Sequence, residues 1–129
     1  MITKEITLCG KPVTLGYCFA TEIGYRTTAD EDIEEFITQV VDMFVNQNTV
    51  PDRQKCMFLI FAAILAYYES LKQPVPVSTE DLIYNLSPEE MGTALATILQ
   101  LRAEFYHTPK GEPEDKADEE EADAEPKNA

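Results

Sequence analysis

CMFLIFAAILAYY, residues 56–68, is the stretch on which the fold turns. Its thirteen residues carry no charge, and they fall short of the ~20 apolar residues that a bilayer-crossing helix requires. The run therefore reads as a helix of a water-soluble core. Pro51 opens that helix, with Thr49 as a cap upstream, and it extends over about 51–71. Its middle is apolar on every side. A helix of that kind must be surrounded, by other elements of its own chain or by a partner chain. Ala62, Ala63 and Ala66 would let another helix approach closely on one side.

Downstream, two prolines in QPVPVS (73–78) break the pattern, and a short helix over 79–85 follows. SPEEM (87–91) is a strong start signal, with Ser87 as cap, Pro88 in the first position and Glu90 completing a capping box. Met91, Leu95, Ile98, Leu99, Arg102 and Phe105 then recur at helical spacing. Upstream, Ile33, Phe36, Ile37, Val40, Val41 and Phe44 form one helical stripe, with Asp30, Glu31 and Asp32 crowding its first turn. Phe19, Ala20 and Ile23 suggest a shorter helix ending near Gly24.

Before these helices the chain alternates. Ile6, Leu8, Val13 and Leu15 are apolar around a central GKP. A two-residue turn at Gly10-Lys11 pairs Leu8 with Val13 and Ile6 with Leu15. Pro12 has no N–H to close that turn. A four-residue loop over Gly10–Val13 avoids the difficulty, pairing Leu8 with Leu15 and Ile6 with Tyr17. Both registers give a hairpin with one apolar face. The expected fold is mainly α: a short N-terminal β-hairpin followed by a small bundle of about five helices in one domain, 1–107.

The chain of 129 residues carries a net charge of −14, with 44% apolar and 26% charged residues. Residues 108–129 hold nine carboxylates, three lysines, three prolines and no large apolar side chain. Such a segment cannot bury enough surface to offset its ordering entropy and reads as a disordered acidic tail. The charge argues against a nucleic-acid partner, because little here could replace counterions on a phosphate backbone. The start, MITKEITLCG, lacks the apolar run of a secretory signal. A cytoplasmic, reducing setting is expected, with three cysteines left unpaired.

CGKPVTLGYC, residues 9–18, carries two cysteines in the manner of a redox or metal site. In the first register its two thiols lie about 20 Å apart and in the second ~13 Å, against a disulfide limit of ~7 Å. Three scattered cysteines and one histidine do not make a zinc site. His107, where the last helix meets the tail, suits a helix C-terminus and has no partner placed to make it a general base. Gly10, Gly16 and Gly24 are spaced as turn and cap residues, and do not form a phosphate loop. Neighbouring carboxylates in 30–35 point to different helix faces. The expectation is a binding protein and not an enzyme, without cofactor or metal. Phe58, Phe61, Tyr67 and Tyr68 on the apolar helix are its candidate partner-binding residues, the tyrosines being amphipathic side chains suited to an interface.

The hairpin ITLCGKPVTL (6–15), the aromatic-containing segment GYCFATEIGY (16–25) and the acidic amphipathic DEDIEEFITQVV (30–41) together resemble the tail assembly chaperones of long-tailed bacteriophages and prophages. The resemblance covers about residues 2–105. It departs from the family pattern at Pro12, in the turn, and at Gly16, where strand hands over to helix. It implies a cytoplasmic protein that coats the apolar helical tape measure protein until the tail tube polymerises around it. The all-round apolarity of the helix over 51–71 adds the expectation that the chain self-associates, burying the same surface when no client is bound. The resemblance also implies a longer form made by frameshifting, diverging near the acidic segment. Two rival readings stand beside it: an acidic decoy that mimics nucleic acid, and a minor structural subunit of the virion.

Overall fold

The computed structural model describes residues 1–47 and 51–107. The expected acidic tail and the Thr49 cap lie outside the described residues. The fold is mainly α, as the sequence implies. Strands β1 (Ile2–Leu8) and β2 (Lys11–Tyr17) form an antiparallel hairpin. Helices α1 (Phe19–Ala29), α2 (Ile33–Asn46), α3 (Arg53–Ser70), α4 (Thr79–Asn85) and α5 (Pro88–His107) follow. Helix α3 is the axis of the core, packing against α1, β2, α4 and α5. Leu59, Ile60, Ala63 and Ile64 are buried there beneath Leu8, Val13, Leu15 and Tyr17 of the hairpin. The uniform apolarity of 56–68 is thus met within the chain on the inner side, while Phe58, Phe61 and Leu65 on the outer side are only half-buried.

The hairpin takes neither of the two expected registers. Ile6 pairs with Val13 and Leu8 with Lys11, so the turn is Cys9-Gly10. Both turn residues have positive φ, 53° and 76°, as a type I′ turn requires. The shift moves the pairing by two residues and so preserves the apolar face. It also removes the objection from proline. Leu8 and Lys11 close the turn, so Pro12 and Thr14 direct their backbone nitrogens away from β1. Thr14 donates its N–H to the Tyr68 hydroxyl at 3.1 Å, and Pro12 has none to satisfy.

Cysteine rarely occupies the left-handed region, and its place here is fixed by distant partners. The Cys9 N–H donates to Glu90 Oε1 at 3.2 Å, and its thiol donates to the Asp81 carbonyl at 3.4 Å. Glu90 meanwhile completes the capping box of α5, accepting from the Ser87 N–H at 3.2 Å while Ser87 Oγ accepts from the Glu90 N–H at 3.1 Å. One carboxylate therefore holds the start of α5 and the tip of the hairpin. The backbone donors of Ser87, Cys9 and Gly10 hold its carboxyl below the usual range, against a smaller opposing effect of desolvation. A lowered carboxyl pKa stabilises the fold above the ordinary value and loses that contribution as pH falls through the lowered one. Urea unfolding of wild type and Glu90→Gln is expected to show a stability gap that holds from about pH 7 to about pH 5 and narrows toward about pH 3. A gap unchanged at the acid end would show that the charge is not its source.

Helix α1 differs from expectation in both length and face. It continues past Gly24 to Ala29, ending at Asp30, whose φ is 56°. Phe19 and Ile23 are 62% and 64% exposed, whereas Thr21 and Tyr25 are fully buried. The end of β2 sets this phase: Thr21 Oγ1 donates to the Gly16 carbonyl at 2.9 Å and accepts from the Cys18 N–H at 3.2 Å. Gly16 itself lies so close to α3 that an added Cβ would sit 3.2 Å from the Tyr67 Cβ and 2.5 Å from the Met1 sulfur.

The carboxylates expected in the first turn of α2 instead divide the work of the α1–α2 corner. Asp30 caps α1 and Asp32 caps α2. Glu31 accepts from the Tyr25 hydroxyl and from Lys55 Nζ, each at 2.7 Å. In α3 the cap is Asp52, whose side chain accepts from the Lys55 N–H at 3.1 Å. Pro51 thus precedes the helix, where its missing N–H and fixed φ are harmless. Helix α5 begins where its capping signal places it, and α4 spans the expected 79–85, starting at a capping box of Ser78 with Asp81.

Candidate functional site

Two small-residue rows meet where α1 crosses α3. An added Cβ on Gly24 would lie 3.4 Å from the Ala62 Cβ, so the helices are close enough to leave an open groove beside the contact. Ala20, Gly24, Ala62 and Ala66 line it with Phe58, Phe61 and Leu65 in a space of about 310 Å³, and Thr27 and Glu69 contribute polar groups. Small side chains and apolar walls suit an apolar side-chain row from another helix.

Two of the four candidate residues, Phe58 and Phe61, come together in this groove. Tyr67 and Tyr68 lie toward the hairpin. The Tyr68 hydroxyl accepts from Thr14, the Tyr67 Cβ underlies Gly16, and the two rings meet edge to face at 4.9 Å. Sequence reasoning missed Ala20, Gly24 and Leu65. The signal was available: small residues recur every four positions at 20 and 24 and again at 62 and 66, which places each pair on one helix face.

Cys9 and Cys56 offer no activated nucleophile. Burial, with the nearby carboxylates of Glu90 and Asp81, raises the pKa of Cys9, and burial pushes Cys56 up to about 11. A thiol so shifted stays protonated near neutrality. Cys9 and Cys18 sit at opposite ends of β2, about 23 Å apart at ~3.3 Å per residue, and all three cysteines are free. Among the described residues no group of three or more His, Cys, Asp or Glu could hold a metal, and no helix is long and apolar enough to cross a membrane.

A second cluster lies where α1 begins and α5 ends. The Tyr17 and Tyr106 hydroxyls both donate to Glu22, at 2.7 and 2.5 Å. Phe105 packs edge-on to Phe19 at 5.2 Å. Arg102 pairs with Glu34 and lies over the Tyr106 ring at 5.2 Å. The bond to Glu22, with burial, pushes the Tyr106 pKa up to about 12. These contacts fasten helix ends to one another. No protein-family model, curated protein or solved structure matches the chain.

Proposed function

We propose that this protein is a tail assembly chaperone of a long-tailed bacteriophage or prophage, working in the host cytoplasm by holding apolar helical segments of the tape measure protein. The groove between α1 and α3 carries the reading, because it pairs apolar walls with small residues at helical spacing. Such a groove receives the apolar face of an amphipathic helix. The acidic exterior keeps the loaded complex soluble and separates it from its neighbours. The net charge of −14 also favours a second reading, a decoy for nucleic-acid-binding proteins.

Salt separates the two readings, since apolar docking persists where surface charge is screened. Co-expression with the tape measure protein encoded in the same genome is expected to give a soluble complex that survives about 0.5 M salt. Thr27→Trp fills the groove from an exposed position and is expected to weaken co-purification ~10-fold or more, since about 1.4 kcal/mol is tenfold. Phe61→Asp should act the same way, and circular dichroism would confirm that each variant remains folded. A client that stays insoluble would remove the chaperone reading. A complex that forms only with basic partners and dissociates in salt would favour the decoy.

A further inference from the structure

Helix α2 does not bury its whole apolar stripe. Ile33, Phe36, Ile37 and Val40 are in the core, while Val41, Phe44 and Val45 are 42%, 41% and 72% exposed. Val41 and Ile37 face Leu99, Ala103 and Tyr106 of α5 across a groove of about 400 Å³. Its surroundings are acidic. Residues 30–47 hold six carboxylates and no lysine or arginine; Glu31 is paired with Lys55, whereas Glu35 is exposed and Asp42 lines the surface beside Val41 and Val45. Arg102, the cation lining the groove, is bound to Glu34 and lies over the Tyr106 ring. His107 ends the groove, and there the chain enters 22 residues of net charge −6 without a large apolar side chain.

That charge pattern selects the occupant. The following segment lacks the side chains to cover an apolar face and has the wrong sign. A second copy docking α2 on α2 would bring two acidic faces together, and an anionic lipid surface would be repelled likewise. The geometry points to a docking site on α2 and α5 for a basic amphipathic helix of another protein, its apolar row on Val41 and Val45 and its cations among the carboxylates. The site shares no lining residue with the α1–α3 groove and does not depend on the chaperone reading.

The test uses the full chain and two labelled synthetic helices of about 18 residues, five turns, one built from leucine and lysine and the other from leucine and glutamate. Fluorescence anisotropy is expected to show binding of the lysine peptide, weakened severalfold between about 50 mM and about 500 mM salt. The glutamate peptide should not bind. The double variant Val41→Ser, Val45→Ser changes only exposed side chains and should weaken the lysine peptide ~10-fold or more, while Glu35→Lys should weaken it severalfold. Thr27→Trp, in the other groove, should leave its affinity unchanged. Equal affinity for the serine variant, loss confined to Thr27→Trp, or binding of both peptides would overturn the proposal. So would a concentration-dependent dimer in sedimentation that the serine variant dissolves.

Discussion

Replacing Tyr25 by alanine is expected to destabilise the protein by ~3–5 kcal/mol, the range for removing a large buried aromatic ring. The ring is fully buried and stacks on Phe36 with centroids 5.4 Å apart. Its hydroxyl donates to Glu31, which also accepts from Lys55, so one side chain joins the core to the α1–α2 corner and the start of α3. Total stabilities of ~5–15 kcal/mol make such a loss a large share of the whole. The melting temperature should fall by about 12 °C or more, at ~4–8 °C per kcal/mol for a domain of this size. Tyr25→Phe keeps the ring and should lose only ~1 kcal/mol. Equal losses from the two variants would place the energy in the hydroxyl and contradict the packing account.

Thr21→Val should have the next largest effect, ~2–4 kcal/mol, although it preserves side-chain shape. Thr21 is fully buried, and its hydroxyl answers both the Gly16 carbonyl and the Cys18 N–H. Gly16 stands opposite Thr3 with its carbonyl turned away from β1, so the ladder offers no substitute. An unpaired buried backbone group costs ~1–3 kcal/mol. Thr21→Ser keeps both bonds and loses one methyl group, ~1 kcal/mol. Urea unfolding of the three proteins would decide the point. A valine variant as stable as the serine variant would mean that water reaches both groups.

These two residues also show where the sequence was hard to read. Phe19, Ala20 and Ile23 look like the inner face of a helix, because periodicity weighs apolar character alone. The true inner face is set by Thr21, a polar residue made necessary by the strand end it caps, and by Tyr25 one turn later. Gly24 reads as a terminator by its usual role, whereas here it admits Ala62. The capping box at Ser87 was legible because every participant is local. The hairpin register was not, since Cys9 holds its unusual turn conformation only through Glu90 and Asp81, far along the chain. For the candidate site, all-round apolarity pointed to α3, and two of the four residues it suggested, Phe58 and Phe61, line the α1–α3 groove. The opposite wall comes from α1, whose inner face the periodicity had misassigned.

The bond between Cys9 and Glu90 spans 81 positions and carries a consequence for synthesis on the ribosome. The hairpin emerges before helices α1 to α5, yet the carboxylate that fixes its tip belongs to α5. Long-range closure of this kind is slow compared with local helix formation. A nascent chain therefore exposes the apolar side of α3 with no settled strand pair above it until α5 has been translated. During that interval the polypeptide is itself an aggregation-prone client, and premature termination before Glu90 should yield insoluble fragments.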